Sequence, residues 1–270
     1  MMQLKQIKLL TTLTIILSIS LAVVSYFGVF VSNTYVRDSI SMGVQGMGQD
    51  IVDLFIVVPL LILSLLFVRK GKVISYFIFS GILFYILYSF VIYSFGVHFN
   101  NLFLLYCLTL GISLYTFIIM IVQIAKLDIQ NIFSDKTPVK SIAVYLIIIA
   151  ATFYLLWLKD IVPAILSSSV PKTISDNKLL INPVHVLDIS IALPGLFITA
   201  ILLMKKHKLG YIFTPTFLVF IIILAIALIG MVIMLKVKGL NDDISVSIIF
   251  SLLAVISSGF LVKYFRAISI

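Results

Sequence analysis

Glutamate is absent from this 270-residue chain, cysteine occurs once, and charged residues make up only 11% of the sequence. The single Cys107 can close no internal disulfide and supports no cysteine-based metal site. No Walker loop, His-Glu-x-x-His, Cys-x-x-Cys or Gly-x-Ser-x-Gly stretch occurs, so the common sequence signatures of nucleotide, zinc-protease, redox and hydrolase chemistry are missing. The two-residue alternation of a membrane β-barrel is missing as well, because the apolar runs are continuous.

What is present is hydrophobicity. Apolar residues are 62% of the chain and the mean hydropathy is +1.27, whereas soluble domains carry about a quarter charged residues. The composition predicts an all-α, polytopic transmembrane helix bundle of about eight spans. A helix crosses the hydrocarbon core in about 20 residues, and lipid offers its backbone no other hydrogen-bond partners. The expected spans are Leu9 to Val31, Ile51 to Val68, Val73 to Tyr93, Leu102 to Ile124, Ser141 to Leu158, Val186 to Leu203, Tyr211 to Leu235 and Ile244 to Leu261. The first apolar run exceeds the usual h-region of a cleavable signal and reads as a retained anchor, with Ser25 and Gly28 leaving cleavage as the alternative.

The formal net charge of +9 suggests a nucleic-acid partner until the charges are located. They sit at helix ends, so no nucleic acid is expected. With a cytoplasmic N-terminus, 13 Lys and Arg fall inside and 6 outside, which the positive-inside rule favours. The inside set is Lys5, Lys8, Arg69, Lys70, Lys72, Lys126, Lys136, Lys140, Lys205, Lys206, Lys208, Lys263 and Arg266. Both termini are expected in the cytoplasm, with basic helix ends against anionic lipid heads. All ten acids are Asp, and on this topology all but Asp128 and Asp135 lie at or near the outer face, Asp242 among them.

A second pattern divides the chain. Asp53, Pro59, Lys70 and Tyr76 recur as Asp188, Pro194, Lys205 and Tyr211, each displaced by 135 residues, half the chain length. Spans two to four then correspond to spans six to eight. An even number of crossings per copy gives two parallel four-helix halves, residues 1–135 and 136–270, related by an axis along the membrane normal. Two helices that acquired an Asp and a Pro independently are the alternative.

The same displacement aligns Asp50 with His185. Asp50 and Asp53, like His185 and Asp188, are spaced i, i+3 and share a helical face. A charge at mid-span costs about 2.5–3.5 kcal/mol on insertion scales, so such residues normally face protein or water. The expectation is a polar cavity between spans two and six, opening outward through the long segments Ser32 to Asp50 and Lys159 to His185. Its candidate lining is Asp50, Asp53, His185 and Asp188, with His98, Asn100, Asn101 and Asp160 around it. Tyr85, Tyr88 and Tyr106 extend that lining, and Arg37 is the cation placed to pair with Asp50.

Each residue also has a plainer reading. Asp50 fits a helix N-cap, and Asn182 followed by Pro183 fits a helix start. Tyr93 and Trp157 fit the interfacial aromatic belt. Gly43, Gly46 and Gly48 fit tight turns. Pro59 and Pro194 fit packing kinks, or else free the carbonyls of Phe55 and Ser190 as ligands. His185 and Asp188 have helical metal-ligand spacing, but two ligands do not define a site, and no cofactor is implied.

Gly48-Gln49-Asp50, the tyrosine-rich third span, the stretch from Gly96 to Tyr106, and Asn182-Pro183-Val184-His185 with Asp188 resemble a group of bacterial inner-membrane proteins with no assigned activity. The resemblance implies location and span number only. Three roles follow from the residues. The first is a transporter or permease for a small polar solute or cation. The second is an intramembrane enzyme acting on a lipid or isoprenoid, and the third is a non-catalytic membrane module.

Overall fold

Eight helices of sufficient length and apolarity to cross a bilayer form in the computed structural model, which describes residues 3–133, 137–241 and 243–268. Asp135, Lys136 and Asp242, whose charges entered the topology expectation, lie outside the described residues. Spans 1 to 8 are Leu4–Phe30, Ile40–Arg69, Val73–Gly96, Phe103–Ala125, Val139–Leu166, Pro183–Met204, Lys208–Val237 and Ser245–Arg266. Their side chains divide by neighbour. Residues such as Phe55, Leu104, Leu155 and Val255 are exposed on the outside of the bundle, where hydrocarbon is their natural surrounding.

Span 3 is the centre and span 8 the periphery: 78% of the apolar window of span 3 is buried, against 6% for span 8. Span 3 packs on spans 2, 4 and 7, and span 7 packs on spans 2, 6 and 8. Phe84 of span 3 meets Phe220 and Phe217 of span 7 at ring separations of 4.9 and 5.3 Å. Beside them Ser80 and Thr216 share a buried hydrogen bond of 2.8 Å. Small residues set the crossing distances, as expected where helices associate without a hydrophobic drive. A Cβ on Gly48 would lie 2.6 Å from the Gly230 carbonyl and 2.7 Å from the Met231 Cα.

Several contacts recur at the displacement seen in the sequence. Gly48 abuts Met231, and the positions 135 residues away, Pro183 and Gly96, abut each other as well. Gly81 lies against Thr216, itself a pair 135 apart. Spans 2 and 6 each contain one π turn, Asp53–Val57 and Asp188–Ala192, which begin at the repeated aspartates. In each, the N–H at the end of the turn reaches back five residues to the aspartate carbonyl.

Two elements differ from expectation. Span 2 begins at Ile40, well before Ile51, capped by Ser39 whose hydroxyl accepts the Met42 N–H. Gly43, Gly46 and Gly48 therefore make no turns. They lie within the helix, where Gly43 and Gly46 admit the Tyr35 ring and Gly48 admits span 7. Span 5 runs on to Leu166 through Pro163, shortening the second long connection. Asn182 does cap span 6, accepting the Val184 N–H at 3.0 Å with Pro183 at the first helical turn.

The connections between spans 1–2, 3–4 and 5–6 interlock at the end opposite the termini. Ser39 hydrogen-bonds Asn177 at 2.5 Å, and Arg37 donates to the Phe99 carbonyl at 2.7 Å. Asp38 accepts both the backbone N–H of His98 and its ring nitrogen, each at 2.9 Å.

Candidate functional site

Among the described residues, three aspartates are buried inside the bundle, and each is held by aromatic donors from neighbouring segments. Asp50 and Asp53 are 0% and 1% exposed, and Asp188 is 7% exposed. Asp53 accepts the Tyr85 hydroxyl at 2.8 Å, and Asp188 accepts the Tyr88 hydroxyl at 2.9 Å. The other Asp188 oxygen accepts the Trp157 indole N–H at 2.8 Å. Asp50 accepts Tyr93 at 2.9 Å on one oxygen and Tyr35 on the other. Span 3 thus supplies a ladder of hydroxyls, one rung for each acid.

Depth is set by helix length. Asp53 and Asp188 each stand 16 residues before the last residue of their span, Arg69 and Met204, or about 24 Å at about 1.5 Å rise per residue. Against a hydrocarbon core of about 30 Å, that leaves the two acids about 6 Å from its far edge, about one helical turn inside the apolar layer. Their hydrogen-bond donors are neutral groups, the Tyr85 and Tyr88 hydroxyls, the Trp157 indole and the Gln49 amide beside Asp53, and among the described residues no lysine or arginine bonds them. A carboxyl so placed requires a proton or a small cation to balance it. Among the described residues, no three His, Cys, Asp or Glu side chains gather as a metal would need.

The π turns explain part of the geometry. Just after the second one, Pro194 has no N–H to offer the Ile189 carbonyl five residues back, and the Tyr154 hydroxyl of span 5 donates to that oxygen at 3.0 Å. Single π turns recur at functional positions in helices.

His185 sits one turn before Asp188. Its ring lies 4.7 Å from the Trp157 ring, and its Nε2 is buried with no hydrogen-bond partner. Asp188 also borders a narrow cavity of about 40 Å³ walled by Phe153, Ala192, Leu193, Phe220 and Leu224. That is space for about one water molecule.

The expected lining does not assemble as one cavity between spans 2 and 6. Asp53 and Asp188 bond successive tyrosines of span 3 and not each other, so span 3 mediates between them. His98 is drawn to Asp38 at the loop end. Asn100 donates to Tyr106 at 3.0 Å and to the Thr34 carbonyl at 3.2 Å. Asn101 is exposed, and Asp160 accepts Thr173, fastening the connection between spans 5 and 6. Arg37 binds the Phe99 carbonyl and leaves Asp50 to the tyrosines.

Tyr93 and Trp157, which fit an aromatic belt in the sequence, are hydrogen-bond donors to Asp50 and Asp188, and Tyr93 is 3% exposed. Asp50 is no N-cap, because the cap is Ser39. Tyr35 carried no signal beyond being a tyrosine near a loop. Its burial, and after that the Asp50 carboxyl beside it, pushes the hydroxyl above the usual tyrosine range, so it remains a neutral donor.

No protein-family model, curated protein or solved structure matches the chain.

Proposed function

We propose that this multi-pass membrane protein is a proton-linked carrier for a small polar solute. It would be built from two parallel four-helix halves, residues 1–135 and 136–270, and would reside in a bacterial inner membrane with both termini cytoplasmic. The bias of Lys and Arg toward the end that bears the termini supports that orientation. The observation that carries the reading is the placement of Asp53 and Asp188. Two acids at equal depth, each at the head of a π turn, bond hydroxyls one helical turn apart on the central span.

The chemistry follows from that clasp. A hydrogen bond to an ionised carboxylate is roughly twice as strong as one between neutral groups. Loading or releasing a proton at Asp53 or Asp188 therefore changes how tightly spans 2 and 6 hold span 3. The π turns give those spans a place to change register, and the packed tyrosine ladder is the closed arrangement. In this reading His185, whose Nε2 is unpartnered beside Trp157, would be the group that hands protons on toward Asp188.

The test is proton uptake into proteoliposomes that contain a trapped pH-sensitive dye and are driven by a potassium diffusion potential, with a mixture of small polar solutes supplied outside to support coupled entry. Wild-type protein is expected to acidify the lumen faster than empty vesicles, and Asp53→Asn and Asp188→Asn to remove the difference while still inserting. Uptake no faster than in empty vesicles, or undiminished in both variants, overturns the proposal.

A further inference from the structure

Asp50 has no part in the clasp that Asp53 and Asp188 make with span 3, yet its side chain is completely buried. It stands three residues before Asp53 on one face of span 2, so the two carboxyls are neighbours about one helical turn apart. Tyr35 and Tyr93 donate to Asp50, Tyr85 donates to Asp53, and the Gln49 amide lies beside Asp53. Among the described residues no lysine or arginine bonds either acid. Two buried carboxyls with neutral donors alone need positive charge from elsewhere.

Span 1 supplies a further oxygen at this place. It runs antiparallel to span 2 and packs both on its first half and on the Asp53–Val57 turn. Gly28 is so close to Asp50 that a Cβ there would overlap a carboxyl oxygen. Ser25 lies three residues before Gly28 on the same face. In an antiparallel neighbour, that is the level of Asp53. The Ser25 hydroxyl is fully buried beside the Asp50 carboxyl and makes no hydrogen bond. A helical hydroxyl normally returns to a carbonyl three or four residues back, as Thr14 does to Leu10 at 2.7 Å. A buried hydroxyl without such a partner is unfavourable unless its oxygen serves something else.

We propose that Ser25, Asp50 and Asp53 form a binding site for one sodium ion between spans 1 and 2. The Tyr35 and Tyr93 hydroxyls keep a lone pair after donating to Asp50 and complete the oxygen set. A transition metal lacks its ligands here, since no three His, Cys, Asp or Glu side chains gather among the described residues. An alkali ion takes hydroxyl and carboxylate oxygens alike. Calcium wants about six to eight oxygens and magnesium keeps several waters, whereas Gly28 and Tyr35 close on Asp50 without room for a methyl group. Asp53 also serves the proton clasp proposed above, so sodium and proton would compete there; the sodium site itself stands without that reading.

Binding of radioactive sodium to the purified full-length protein in detergent, in a choline medium, tests this. One sodium per chain is expected to bind saturably and to be displaced by unlabelled sodium, but not by the same concentration of potassium or calcium. Asp50→Asn is expected to abolish binding. Ser25→Ala removes a hydroxyl that bonds nothing, so it should melt like wild type in choline while its sodium affinity falls roughly tenfold, as loss of a supporting group at a metal site does. Absence of saturable binding, displacement by potassium or calcium, or undiminished binding in either variant overturns the proposal. Sodium binding without proton uptake would remove the carrier reading alone, and proton uptake without sodium binding the sodium site alone.

Discussion

Replacing Tyr85 by phenylalanine removes one hydroxyl from span 3 and leaves Asp53 without its 2.8 Å donor. The cost depends on the charge state of the acid. Interhelical hydrogen bonds between neutral groups in membranes couple by about 0.6 kcal/mol on average, whereas bonds to charged groups contribute about 1.5–3 kcal/mol. A double-mutant cycle of Tyr85→Phe with Asp53→Ala, read as unfolding free energy in bicelles, isolates the pair. Protonation of Asp53 converts the charged case into the neutral one, so coupling should be near the lower figure in acid and rise toward the higher one as the medium becomes alkaline. The parallel cycle of Tyr88→Phe with Asp188→Ala should behave in the same way, since that bond spans 2.9 Å. A coupling indistinguishable from zero would mean that the hydroxyl does not serve the acid. A coupling that stays constant across the accessible pH range would mean that the acid does not exchange its proton, and would refute the reasoning.

Gly48→Ala places a methyl group against the Gly230 carbonyl and the Met231 backbone, neither of which can rotate away. It is expected to destabilise the bundle by about 1–3 kcal/mol, the usual cost of overpacking, and wild-type resistance to SDS unfolding would contradict the close crossing of spans 2 and 7. Arg37→Gln should leave proton uptake unchanged, because Arg37 serves the Phe99 carbonyl and not Asp50. Loss of uptake in that variant, with insertion intact, would return Arg37 to the site.

The spans were legible because length and apolarity alone decide whether a segment crosses a bilayer. The repeated Asp and Pro were legible because both residues are scarce in so apolar a chain, and in the structure each of the two aspartates begins a π turn that its proline follows. Gly43, Gly46 and Gly48 misled for a physical reason. In water glycine marks a turn, but between membrane helices it marks a close crossing, so span 2 looked a good three turns shorter than it is. Trp157 fits an interface in the sequence because the apolar run of span 5 ends at Leu158, whereas the helix itself continues to Leu166. Tyr93 was misplaced likewise, since span 3 continues to Gly96. The five-residue register of the π turns left no mark that a periodicity argument detects. Partners that come from distant helices, such as Tyr88 for Asp188, are set by packing and lay beyond reading along one chain.

Trp157 is the only tryptophan in the chain, and its indole N–H bonds Asp188 directly, so its fluorescence reports on that carboxyl without any added label. The decisive measurement is a pH titration of this emission in purified protein, in wild type and in Asp188→Asn and Asp53→Asn. Proton exchange at linked acids predicts an emission change with pH in wild type, abolished in Asp188→Asn and displaced along the pH axis in Asp53→Asn through span 3. An emission that is flat with pH, or a titration identical in all three proteins, would contradict it.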